Sequence, residues 1–118
     1  MIQPARWTGG PQGEILSTDY GDAYANRSGA WGQAAQVFIQ GCALPERWAQ
    51  LRCVRVLETG FGLGVNFLAT WAAQHQARRT GGAAVRLSYL AIEKHPFTRS
   101  DLRAALEMAL TSAPADQA

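Results

Sequence analysis

Apolar positions change their period along this chain, and each change marks an element. Cys53, Val54, Val56 and Leu57, with Arg55 among them, form a short apolar run of strand length that ends directly in Glu58, Thr59 and Gly60. After Gly64 the spacing becomes helical, placing Phe67, Leu68, Trp71, Ala72 and His75 on one predicted face. Arg78 and Arg79 are basic last-turn residues, and Gly81 and Gly82 a stop. A second strand follows in Val85, Leu87, Tyr89, Leu90, Ala91 and Ile92, ending in Glu93. A strand, glycine turn, helix, strand unit closes only as a parallel pair with a right-handed crossover. Thr98 or Ser100 then caps a last helix with an apolar stripe of Leu102, Ala105, Leu106, Ala109 and Leu110.

Upstream the pattern is weaker. Met1 to about Gly32 is poor in aliphatic residues and rich in Gly, Asp and Asn, with Trp7, Tyr20, Tyr24 and Trp31 scattered through it, which predicts loops with short strands at best. From Ala30, the residues Trp31, Ala34, Ala35, Phe38 and Ile39 share a helical face, and Gly41 is a stop. Pro45 suits the first turn of a short helix reaching Leu51. No repeat, low-complexity stretch or linker stands out. The expected organisation is a loop-rich and helical segment at 1–52, a β-α-β-α unit at 53–110 and a disordered tail at 111–118.

Composition agrees with a packed α/β domain: 118 residues are 47% hydrophobic and 17% charged. A net charge of +2, from 11 Lys plus Arg against 9 Asp plus Glu, leaves no electrostatic footprint for nucleic acid. No apolar stretch approaches the roughly 18 residues of a membrane span, and Met1 to Gly10 lacks the pattern of a secretion signal, so a cytoplasmic chain is expected. Cys42 and Cys53 fit neither a disulfide framework nor a zinc pattern and read as reduced, buried structural thiols. His75 and His95 sit in unlike settings without further ligands, so no metal site is expected. Phe67 and Trp71 read as core rather than as stacking platforms for bases, and Arg78, Arg79 and Arg86 as helix-end or surface charge rather than phosphate contacts.

The chemistry concentrates in Glu58-Thr59-Gly60-Phe61-Gly62-Leu63-Gly64. Ligands of open α/β sheets bind at the carboxyl ends of parallel strands, and glycines there admit positive φ and close backbone approach. The dinucleotide fingerprint wants its third glycine where Val65 stands, and the phosphate-loop ending Gly-Lys-Ser/Thr is absent. A GxGxG turn after an acidic residue fits S-adenosylmethionine (SAM), which carries a sulfonium and an amino group and no pyrophosphate, so that Glu58 is favourable beside it. Glu93 then stands where a carboxylate can accept both hydroxyls of a ribose.

These same residues carry a family resemblance. Glu58 to Trp71, ETGFGLGVNFLATW, and Ala91 to Leu102, AIEKHPFTRSDL, closely resemble the methyltransferase domain of the bifunctional tRNA 5-methylaminomethyl-2-thiouridine biosynthesis proteins. Asp22-Ala23-Tyr24, Val37-Phe38-Ile39-Gln40-Gly41 and Leu44-Pro45-Glu46-Arg47-Trp48 resemble upstream blocks of that family in the same order. The resemblance implies the N-terminal half of a Rossmann-like methyltransferase that uses SAM to methylate an aminomethyl group on a wobble uridine of tRNA. In many members a flavin-dependent oxidoreductase domain follows.

It further implies that Gly60, Gly62 and Gly64 line the methionine part of the cofactor, Glu93 the ribose, and Tyr24 and Glu58 the pocket wall. Asn66 and Lys94 match the motif without an assigned contact. The chain departs from the family at Ala25, where Phe is usual, at Gly32-Gln33-Ala34-Ala35, where an acidic run is usual, and at Cys42, where Asn is usual. Two core strands, where such a sheet has about seven, and no Asp-Gly-Phe-Ala-Pro motif after Glu93 predict a marginal fold, open to pairing with a second chain and inactive alone. A noncatalytic fragment or interaction module, and more remotely a nicotinamide-dependent oxidoreductase, stand as alternatives.

Overall fold

The computed structural model describes residues 1–25, 34–82 and 85–111. Three short strands, β1 (Trp7–Gly9), β2 (Ile15–Ser17) and β3 (Ala23–Ala25), pair antiparallel in chain order. The loop-rich first segment thus contains a small sheet of its own. A wide helical segment of π type, α1 (Ala34–Gln40), and a short helix, α2 (Leu44–Gln50), follow, the latter opened by Pro45 as its composition predicts. The remainder is β4 (Cys53–Thr59), α3 (Val65–Arg79), β5 (Arg86–Ile92) and α4 (Arg99–Thr111). The expected positions of Trp31 and of the tail beyond 111 lie outside the described residues.

β4 and β5 pair in parallel with an unbroken register from Cys53 opposite Arg86 to Thr59 opposite Ile92. Strand alternation sends Val54, Val56 and Glu58 to the face covered by the helices, together with the half-buried Leu87, Tyr89 and Ala91. On that side one core gathers Ala34, Ile39, Leu44, Trp48, Val54, Ala69 and Val85. A second core joins Ile15 of β2, Leu63 of the glycine turn and Ala105 of α4, with Trp7, Tyr24, Phe97 and Leu102 packed around them. Val65 touches both cores and ties them together. The cap of α4 is Thr98, whose Oγ1 accepts the Asp101 backbone N–H at 3.2 Å.

Two expectations are overturned. The buried face of α3 is not the bulky one: Ala69 and Thr70 are buried, Trp71 is 56% exposed, and Ala72 and His75 are exposed. The small side chains of Ala69, Ala73 and Ala77 let α3 lie close against α1 and α2, whereas Phe67 and Trp71 stack on each other at 6.1 Å on the helix flank. Cys42 and Cys53 are free and exposed rather than buried, because Cys42 lies in the turn after α1 and Cys53 shares a strand face with Leu57, away from the helices. That opposite face carries Leu57 and Leu90, each 64% exposed, and Ile92 at 59%, so no described element covers it.

Gly64 shows how tightly the turn into α3 is built. Its φ is +75°, and a Cβ there would stand 2.6 Å from Cζ of the Phe61 ring. A left-handed backbone costs an L-residue roughly 1–2 kcal/mol before any clash is counted. Gly64→Ala is expected to lower stability by about 1–3 kcal/mol in urea or thermal unfolding.

Candidate functional site

The parallel register brings the two acidic residues to one end of the sheet. Glu58 is the penultimate residue of β4, Glu93 follows β5 directly, and the Gly60 N–H donates to the Ile92 carbonyl at 2.8 Å where the two strands leave the sheet. Beyond it the chain turns through Gly62, at φ +53°, before entering α3 at Gly64. The Glu93 carboxylate spans this crossing: one oxygen accepts the Gly62 N–H at 2.9 Å and the other the His95 N–H at 3.1 Å. A charged acceptor holding two backbone amides fixes the turn to the exit of β5.

Glu58 is only 6% exposed, and both of its oxygens are bonded. Asn66, in the first turn of α3, donates through Nδ2 to Oε1 at 2.8 Å, and the Tyr89 hydroxyl of β5 donates to Oε2 at 2.6 Å. Tyr89 stands opposite Val56, two residues before Glu58 on the same strand face, which puts its hydroxyl within reach. Burial, then the hydrogen bond to Glu58 and the charge of that carboxylate, push the Tyr89 hydroxyl well above the ordinary phenol range. Its ring meets Phe67 edge to face at 5.1 Å.

Glu58 and Asn66 border an open cleft of about 440 Å³, within the range of roughly 300–1,000 Å³ of small-molecule sites, and Tyr89 stands behind Glu58 outside the lining. Tyr24, Glu58, Gly60, Gly62 and Glu93 all line it, together with Asn66 and an apolar wall of Val37, Phe38 and Leu63. Tyr24 is braced edge-on by Phe97 at 4.9 Å. Gly64 is not among the lining residues; it is buried at the start of α3 and shapes the turn from behind. Lys94 is exposed and also stands outside the lining.

No Lys or Arg lines the cleft among the described residues, so its charge comes from two carboxylates. Among the same residues no group of three or more His, Cys, Asp and Glu could hold a metal ion, and no helix is long and apolar enough to cross a membrane.

Sequence reading missed Tyr89 as a site residue and took it for strand core. The signal was its even spacing from Leu87 and Ala91, which shows the face it occupies but not which carboxylate it meets. The raised titration of Tyr89 can be checked by following tyrosine absorbance against pH. A late-ionising phase is expected in the wild type, absent from Tyr89→Phe, and moved part of the way back towards pH 10 in Glu58→Gln, because burial, the larger cause, persists.

No family model matches the chain. It is 50% identical over 105 residues to the tRNA 5-methylaminomethyl-2-thiouridine biosynthesis bifunctional protein MnmC of Burkholderia vietnamiensis (strain G4 / LMG 22486), covering 89% of this chain and 16% of that protein. To the protein of the same name from Burkholderia mallei (strain SAVP1) it is 48% identical over 104 residues, 88% of this chain and 15% of the relative. Among solved structures, that of MNMC2 from Aquifex aeolicus matches with a TM-score of 0.55 at 19% identity, over 95% of this chain and 38% of the other, a likeness of fold. The chain thus spans about a sixth of the length of the curated relatives it matches. With about half of its residues identical over nearly nine-tenths of its length, the chain is a homologue of a segment of the tRNA 5-methylaminomethyl-2-thiouridine biosynthesis bifunctional proteins.

Proposed function

We propose that the chain is the cofactor-binding half of a Rossmann-like, SAM-dependent methyltransferase acting on the aminomethyl group of a tRNA wobble uridine. The observation that carries this reading is the convergence of the glycine turn and the two acids, Glu58 and Glu93, on one cleft without a basic residue in its described lining. A cleft of that charge suits a cationic ligand and disfavours a pyrophosphate. The Gly62 amide, which a dinucleotide would need for its phosphates, is already taken by Glu93, and this weighs against a nicotinamide cofactor.

In this reading Gly60 and Gly62 pass the methionine end of the cofactor, Glu58 faces its amino group, Glu93 receives the ribose and Tyr24 closes one wall. Gly64 acts by holding the turn. When bound, SAM supplies an activated methyl group. A carboxylate has about four acceptor positions, so Glu93 can keep its two amides and still accept ribose hydroxyls. The tRNA partner, and with it a cytoplasmic setting, rest on the relatives' names.

The uncovered face of the central sheet, with Leu57, Leu90 and Ile92 exposed, favours a second reading, in which the chain serves as an interaction module.

Calorimetric titration of the folded chain is expected to show saturable binding of SAM and none of NAD. Glu93→Ala should weaken SAM about 10- to 100-fold, the loss of a charged hydrogen bond together with loosening of the turn. Glu93→Gln, which can still accept one backbone amide, should fold normally and fall between the two. SAM affinity unchanged in Glu93→Ala would remove the ribose role. With tRNA bearing the aminomethyl uridine, the isolated chain is expected to show no methyl transfer.

A further inference from the structure

We infer that Tyr89 is a positioning residue: its hydroxyl, together with the Asn66 amide, holds the Glu58 carboxylate in place to receive the cationic amino group of a ligand in the cleft. The inference rests on the cofactor reading above and adds the residue that holds Glu58 in place for that contact.

The geometry carries it. Glu58 is 6% exposed, borders the cleft, and has one neutral donor on each oxygen, Tyr89 at 2.6 Å and Asn66 at 2.8 Å. Neutral donors orient and stabilise a carboxylate without cancelling its charge. Since no Lys or Arg lines the cleft among the described residues, the carboxylate keeps its attraction for an incoming cation, and among the same residues two donors take two of its roughly four acceptor positions. An anion so far removed from water gains more from a cation than a solvated one does.

Tyr89 serves this arrangement through its hydroxyl alone. The ring contacts, with Phe67 at 5.1 Å and Phe38 at 6.5 Å, would be made equally by phenylalanine. The hydroxyl reaches Glu58 from a strand that the chain enters only after the whole of α3, so the pair also reports correct parallel pairing.

The test compares three probes in calorimetric titrations of the full chain: SAM, S-adenosylhomocysteine, and 5′-methylthioadenosine, which lacks the amino-acid end. In Tyr89→Phe the first two are expected to weaken roughly tenfold, the scale of one hydrogen bond to a charged group, while 5′-methylthioadenosine changes less than about twofold. Equal weakening of all three would reduce Tyr89 to a structural role, and no change in any would remove the role altogether. Glu58→Gln, which keeps the shape and removes the charge, should show the same selective loss. If Tyr89→Phe does not fold by circular dichroism, Glu58→Gln decides the matter, and an unaltered ratio of the probes in Glu58→Gln overturns the inference. Absence of saturable SAM binding by the folded wild-type chain removes the cofactor reading and this role with it, an outcome distinct from binding without selectivity.

Discussion

Parallel pairing of β4 with β5 is the constraint on which the rest of this structure depends. Two strands separated by a fifteen-residue helix are held in one register from Cys53 opposite Arg86 to Thr59 opposite Ile92, and that register puts Glu58 and Glu93 at the same rim. A slip by one residue would send Glu58 to the opposite face and Leu57 inward, since side chains alternate along a strand. The glycine turn lies between the acids because the crossover must leave β4 at the end where β5 also finishes.

Carboxylates then shape the turn as well as charge it. Glu93 binds the amides of Gly62 and His95, and Glu58 binds Asn66 and Tyr89, so each acid links β4 or the turn to residues some thirty positions away on the other strand. The arrangement is preorganised: the groups that would meet a ligand are already held by protein donors, which lowers the ordering cost of binding. Packing is one-sided by comparison. Val54 and Val56 of the central sheet join the helix-packed core, while Leu57, Leu90 and Ile92 on the opposite face are exposed; covering one such side chain contributes about 1.5–3 kcal/mol in a complete core.

Much of the fold was legible in local pattern. The two central strands, the helix between them, the short Pro45 helix and the Thr98 cap each follow from residues within a few positions of one another. The glycine spacing with its flanking acids was equally readable, because backbone turns advertise themselves through glycine. The face of α3 was not. Spacing alone marks Phe67 and Trp71 as the apolar stripe, yet close helix approach selects Ala69 and Ala73, a choice that depends on what α1 and α2 present. The thiol of Cys53 was misplaced for the same reason, since a strand residue is buried only if something covers its face, and Cys42 lies in an exposed turn.

The chain's own residue order determined the elements, the position of the turn and the two acidic ends, since these depend on periodicity, glycine and strand termini, all local properties. Tertiary structure decided that Gly64 stands behind the cleft rather than in it, that Glu93 spends two acceptors on backbone amides, and that Tyr89 meets Glu58. Those facts come from contacts between residues as much as 31 positions apart, whose geometry exists only once the parallel pair has formed.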